Sequence, residues 1–258
     1  MTVSTMRVEK IQRYAYPFFA LFLTLLVWEI AARIADVRFF FPTVTDTAKA
    51  LFSLVGTVGF WKTILNSLLR VLIGWLSGLL IGALLVFPAK HFAFLGTWIR
   101  GIMSVLKSTP VASFILVLWF FIGSDAVPPF IAAVMTAPVV YQNLWDADAA
   151  LDPKLNEVTK IFGFSPFAKL RYYYLPAAVG FLVPATVTSA GLAWKAGIAA
   201  EVIAYTKNSI GREIYEAKNY FEGDVVFAWT LTVIALSIIL EKVLLFAGRK
   251  AEKVWHLH

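Results

Sequence analysis

Residues 101–108, GIMSVLKS, come within one position of the glycine-lysine-serine loop that cradles nucleotide phosphates. Leu106 stands where the second glycine belongs, so a side chain would obstruct the backbone turn on which phosphates rest. The chain has no cysteine, which removes thiol nucleophiles, thiolate metal ligands and disulfides. Its three histidines, His91, His256 and His258, fall into no metal-binding spacing, and no Ser–His–Asp set can be assembled around them. No catalytic residue, metal ligand or cofactor is therefore assigned, and the expectation is a protein that is not an enzyme by itself. The chemistry that remains is electrostatic. Glu29, Arg33, Arg70, Lys107, Lys195 and Glu201 lie in or beside long apolar runs, where every charge is expensive.

Those runs define the class. The chain is 60% hydrophobic and 15% charged, with a mean hydropathy of +0.76, whereas a soluble domain carries about a quarter charged residues. Six stretches approach the roughly 20 apolar residues that a spanning helix needs: Pro17–Ile34, Ile64–Phe87, Trp98–Ile122, Val127–Trp145, Leu175–Ile203 and Val225–Phe246. The third holds Lys107 and Pro110, so a short helix leading into a kinked span is expected there. The first contains Glu29 and Arg33 and is too long for the apolar core of a cleaved signal segment. The expected fold is an all-α polytopic membrane protein with six transmembrane helices. Three segments are expected: 1–58 (N-terminal cytoplasmic segment, first span and outer loop), a core over 59–246, and a cytoplasmic tail at 247–258.

The net charge of +7 sits at the ends of the apolar runs, which points to membrane topology and not to nucleic acid. With the N-terminus inside, the inner segments carry Arg7, Lys10, Arg13, Lys90, Arg100 and the basic residues of 154–171 and 242–253. They outnumber the outer set, which includes Arg38, Lys49, Lys62 and Lys207, so both termini are placed in the cytoplasm.

Within the spans, Glu29 and Arg33 stand four apart and are expected to pair, while Arg70 and Lys107 lie near span ends and can snorkel. Gly74, Gly78 and Gly82 form a small-residue stripe suited to close helix packing, within the chain or between subunits. Lys195 lies about 12 Å below the outer end of its span at 1.5 Å per residue. Its neighbours Thr188, Ser189, Gly191, Trp194 and Gly197 make a surface ill suited to lipid. Two readings stand: Thr188, Ser189, Trp194 and Lys195 line a path for a polar or anionic solute, or the lysine snorkels or pairs with a neighbouring helix. Glu201 is expected at the outer mouth, followed by a polar loop to Asp224 with a small helix in it, whose Tyr205, Tyr215 and Tyr220 either help receive a partner or form an aromatic belt at the membrane surface.

Between two apolar runs lies LDPKLNEVTKIFGFSPFAKLRYYYLP, residues 151–176. Asp152 can cap a helix whose first residue is Pro153. Leu151, Leu155, Val158 and Phe162 recur on one helical face, with Lys154, Glu157 and Lys160 on the other side. Gly163 sits where a left-handed terminating residue is wanted. Ser165-Pro166 repeats the capping signal and opens a second helix expected to run to Leu175-Pro176. The first helix either lies on lipid headgroups or is a rigid part for a partner to grip.

Glu157, Gly163 six residues on, and Leu175-Pro176 resemble the cytoplasmic "EAA" signature of permease subunits in bacterial ABC importers, with Val158 and Thr159 where the signature has alanines. NSLLRVLIGWLSGLLIG (66–82), AWKAGIAAEVI (193–203) and IGREIYEAKNYFEGDVVFAW (210–229) resemble, in order, segments of the nitrate/taurine/alkanesulfonate branch. The resemblance covers roughly residues 60–246. It implies a type I importer permease in the bacterial cytoplasmic (inner) membrane, paired with a second permease copy as a homodimer. It implies separate ATPase subunits gripping a coupling helix at 153–162 through Asp152, Leu155, Glu157, Val158, Lys160, Phe162 and Gly163. It also implies an extracytoplasmic solute-binding protein meeting the outer face near Glu201 and Tyr205. Sulfonates, nitrate-like ions and a vitamin or pyrimidine precursor all remain open as solute. The rival is an ion-coupled secondary transporter or channel in which Glu29, Lys195 and Glu201 would be coupling groups. It would carry inverted repeats, and no internal repeat is visible.

Overall fold

The computed structural model describes residues 3–37 and 39–254, with side chains from Tyr16 to Lys250 (apart from position 38) and at Lys253. Arg38, His256, His258 and the side chains of Arg7, Lys10 and Arg13 thus lie outside the described residues. The described chain is helical: α1 (Val3–Ala35), α2 (Val44–Val55), α3 (Val58–His91), α4 (Ala93–Ser108), α5 (Val111–Ile122), α6 (Val127–Ala149), α7 (Pro153–Ile161), α8 (Pro166–Lys169), a π turn (Leu170–Tyr174), α9 (Leu175–Ile203), α10 (Ile210–Asn219) and α11 (Gly223–Val254).

Among the described residues four helical runs are long and apolar enough to cross a membrane: Tyr16–Ala35, Val58–His91, Pro166–Ile203 and Gly223–Lys250. The pair α4–α5 makes a fifth if it counts as one broken span; it bends by 107° where Pro110 interrupts the helical hydrogen bonding. The remaining expected span, Val127–Trp145, forms α6 but falls outside this apolar set. Pro128, Pro129, Pro138, Gln142 and Asn143 dilute its hydropathy. Its buried residues, Ile131, Ala132, Thr136, Val140 and Tyr141 among them, face other helices, so α6 does not depend on a continuous lipid-facing surface.

The chain divides into two compact units. The first comprises residues up to Trp61 and Glu213–Thr232. Here Glu29 pairs with Arg33 at 2.6 Å, as its spacing predicts, and also accepts the amide hydrogen of Val44 at 2.8 Å. One carboxylate thereby neutralises a neighbour and satisfies an open N–H at the start of α2. Trp28 donates to the carbonyl of Pro42 at 3.0 Å and packs on Phe227, and Phe60 packs on Trp229 with ring centroids 4.9 Å apart.

The second unit comprises Lys62–Arg212 and the chain from Val233 on. Its architecture starts from the glycine stripe. A Cβ at Gly74 would strike the Pro129 carbonyl oxygen, one at Gly78 would strike Thr136 and the Ala133 carbonyl, and one at Gly82 the Ala137 carbonyl. The seam is therefore internal, α3 against α6. Ile115 of α5, Val127 and Ile131 of α6, and Ala200 and Ala204 beside the end of α9 form one buried cluster. Ala89, Ile99, Met103 and Tyr141 form another, where α3, α4 and α6 meet.

The helix opened by Ser165-Pro166 does not end at Leu175-Pro176. It continues through Pro176 to Ile203 as one run. The reason is the π turn, in which the Leu175 N–H reaches back five residues to the Leu170 carbonyl. The widened turn changes the spacing around Pro176, whose ring and missing N–H would disturb an ordinary α turn.

Candidate functional site

The short helix α7 is fixed at both ends by its own sequence. The Asp152 carboxylate accepts the Lys154 amide hydrogen at 2.8 Å, and Pro153 starts the helix with its φ already set. At the other end Gly163 turns left-handed with φ +62°. The Phe164 amide then reaches the Thr159 carbonyl (2.9 Å) and the Gly163 amide reaches that of Lys160 (3.1 Å), a termination that satisfies the last carbonyls. Phe162, expected as the last helical residue, is the cap. Tyr173 of the π turn donates to the Asp152 carbonyl oxygen at 3.1 Å, holding the start of α7 against the root of α9.

Such a framed helix presents a face. Thr159 is buried and Asn156 half-buried, so they form the side that rests on the protein. Leu155, Val158, Ile161 (79% exposed) and Phe162 (73% exposed) point away from the rest of the chain, together with the exposed Lys154, Glu157 and Lys160. Phe167 just beyond is equally bare. Beside the root of this segment lies a cavity of about 640 Å³, lined by Lys90, Asp148, Leu151, Pro166, Leu170 and Tyr174 among others. Lys90 pairs with Asp148 and stacks its ammonium over Trp145.

The residues proposed for a solute path do not share one face. Thr188 and Lys195 are exposed on the same side of α9, two turns apart. Ser189 and Trp194 are turned inward: the Ser189 hydroxyl accepts from Trp75 Nε1 at 3.1 Å, and Trp194 Nε1 donates to the Val233 carbonyl at 3.1 Å. At 3.6 residues per turn, positions 189 and 194 cannot both join the 188–195 stripe. They are packing residues. Thr188, Gly191, Leu192 and Lys195 line, with Ser237, Leu240 and Glu241 of α11, a cavity of about 300 Å³. Glu241 carries a signal in the sequence too, as a carboxylate inside the last apolar run.

Glu201 is not at an open mouth. It is 0% exposed. Its Oε2 accepts the Ser67 hydroxyl (2.8 Å) and the Gly211 amide (3.2 Å), while the same Ser67 oxygen accepts the Ile210 amide (2.9 Å). A Cβ at Gly211 would collide with Glu201 itself. Arg70, expected to snorkel, lies 3.9 Å from Glu201 Oε1 and donates to the carbonyls of Lys207 (2.9 Å) and Asn208 (3.4 Å). Thr206 ties the same loop to the Ser124 carbonyl at 2.9 Å. Tyr205, at φ +52°, lies under the Arg212 guanidinium at 4.7 Å. Ser67 and Arg70, one helical turn apart, thus latch the α9–α10 loop to α3. The small helix expected within the polar segment through Tyr220 is present as α10.

Residues 74–250 match the family described as binding-protein-dependent transport system inner membrane component, which is more than half of the chain. The chain belongs to this family. The glycine seam, α7 and the α9–α11 cavity all fall inside the matched range. This permease is 24% identical over 240 residues to the taurine transport system permease protein TauC of Escherichia coli strain K12, covering 89% of this chain and 85% of that one. It is 24% identical over 236 residues to the putative aliphatic sulfonates transport permease protein SsuC of the same strain, covering 89% and 86%.

Among solved structures, its fold is similar to a chain of a bacterial ABC transporter involved in import of the acidic polysaccharide alginate. The TM-score is 0.62 at 15% identity, covering 95% of this chain and 99% of that one. It is also similar to a chain of the inward-facing MetNI methionine ABC transporter, with a TM-score of 0.53 at 20% identity, covering 76% and 94%. The permease is a multi-pass inner-membrane protein of the ABC transport class.

Proposed function

We propose that this permease forms, with a second copy of itself, the solute path of an ATP-driven importer, and that α7 is the element its ATPase subunits grip. The observation that carries this reading is the free face of α7. A nine-residue helix, capped at both ends and braced by Tyr173, leaves Ile161 and Phe162 largely, and Leu155 and Val158 about half, uncovered by the described residues. Apolar side chains on so rigid a mount suit a groove on a soluble partner. Asp152, Glu157, Lys160 and Gly163 give the contact its charge and its corner. Force applied there reaches α9 through Tyr173 and the helical run from Pro166.

In this reading α6 is the sixth span, both termini lie in the cytoplasm, and residues 59–246 are the permease core. The latched loop between α9 and α10, with Tyr205 on it, faces a solute-binding protein outside. Thr188 and Lys195 line the path. The solute is a small sulfonate, the class named for TauC and SsuC. An ion-coupled transporter without an ATPase would leave the α7 face to rest on lipid headgroups, where rigid caps at both ends serve no purpose.

The test is co-purification from native membrane in mild detergent, wild type beside Glu157→Arg, with ATP-driven uptake of taurine and ethanesulfonate in proteoliposomes. An ATPase subunit accompanies wild type and is lost from the variant, a weakening of about tenfold or more for a reversed charge at the contact. No ATPase with wild type under any condition would sink the coupling assignment.

A further inference from the structure

Lys195 of α9 and Glu241 of α11 line the same cavity of about 300 Å³, together with the Thr188 and Ser237 hydroxyls. Neither charge has an ion-pair partner among the described residues. Both stand inside runs apolar enough to cross a membrane. Opposite charges in such surroundings attract strongly and are costly apart, yet here they flank an open space without closing on each other. The volume is at the lower end of the range of about 300–1,000 Å³ for small-molecule sites. Thr188 and Lys195 lie two turns apart on one face, and Ser237 and Glu241 one turn apart on the facing helix, so both hydroxyls share the cavity wall with the two charges.

We propose that this cavity is a solute subsite for a small zwitterion, with Lys195 holding the anionic end and Glu241 the ammonium end. The proposal rests on the path reading given above and narrows it. A simple anion would gain from Lys195 and be repelled by Glu241, and a simple cation the reverse. A molecule carrying both groups a few bonds apart satisfies both walls at once, with Thr188 and Ser237 donating or accepting along its length.

The natural absence of cysteine permits a direct test in the full-length permease in lipid nanodiscs. Ser237→Cys places one nearly isosteric thiol in the cavity and keeps both charges. Modification of that thiol by a water-soluble methanethiosulfonate reagent is timed with taurine, with ethanesulfonate, which lacks the ammonium group, and with neither. Taurine is expected to slow modification about tenfold more than ethanesulfonate does, the worth of one charge-assisted contact. Adding Glu241→Gln is expected to abolish that difference. A thiol that no soluble reagent reaches overturns the proposal, since the cavity is then closed by lipid or a second copy. Equal effects of the two solutes, or a difference that survives Glu241→Gln, overturn it as well. Failure of the importer reading is seen separately, in ATPase association and ATP-driven uptake, neither of which enters thiol protection.

Discussion

The phenolic oxygen of Tyr173 donates a hydrogen bond to the carbonyl oxygen of Asp152 across 3.1 Å, joining two elements 21 residues apart in the chain. Asp152 is the cap of α7, and Tyr173 sits in the π turn that opens α9. Tyr173→Phe keeps the ring and its packing and removes the link. The expected cost is about 1 kcal/mol of stability, the net worth of a hydrogen bond. ATPase association should persist while solute moved per ATP hydrolysed falls. Paired hydrolysis and uptake assays on one proteoliposome preparation check this. An unchanged ratio would remove Tyr173 from the coupling route.

The buried Glu201 carboxylate ties the start of α10 to Ser67 of α3. Glu201→Ala removes the acceptor for Ser67 and Gly211 and is expected to cost about 1–3 kcal/mol. The loss should appear as a lower unfolding temperature in detergent and as faster proteolysis within residues 204–209. A variant with altered uptake but the wild-type unfolding temperature and cleavage rate would return Glu201 to the solute path.

The glycine seam can be probed with two equally small changes. Gly78→Ala forces a methyl group against Thr136 and the Ala133 carbonyl and should destabilise by about 1–3 kcal/mol, as overpacking does. At Gly101 an added Cβ would meet nothing within 4 Å, so Gly101→Ala should be neutral or stabilising by up to about 1 kcal/mol, the helix-propensity gain. Thermal unfolding of the two variants side by side decides. Equal unfolding temperatures would refute the seam.

Gly163→Ala tests the frame of α7. Space is not the obstacle, since nothing lies within 4 Å of an added Cβ, but the backbone is left-handed at φ +62°. A side chain in that conformation costs about 1–2 kcal/mol. The last turn of α7 should fray, and ATPase association should fall several-fold while the spans unfold at the wild-type temperature. Intact association would mean that the corner after α7 is not needed for docking.

What could be read in advance was local. Asp152, Pro153 and Gly163 announce the ends of α7 because capping and left-handed termination are decided within a few residues. The stripe Gly74–Gly78–Gly82 announced a close contact but not its partner, since spacing on one helix carries no information about the helix opposite. Pro176 read as a stop because the π turn that accommodates it has no signature of its own. Glu201 and Ser67 are 134 positions apart, and no pattern along the chain joins them. Ser189 and Trp194 resemble Lys195 in being ill suited to lipid, but helical spacing alone sets them on another face.

The seam between α3 and α6 also limits how this unit can move. Where the Cβ atoms of α3 would be, the carbonyl oxygens of Pro129, Ala133 and Ala137 already stand. Turning α3 about its own axis by one residue would bring Trp75 or Leu79 over those oxygens in place of glycine. That rotation is therefore closed, whereas a shift of one full turn would set the next glycine of the stripe over the same row of carbonyls. The breaks in regular helix that remain as bending points in this unit are the Thr109–Pro110 elbow and the widened turn before Pro176.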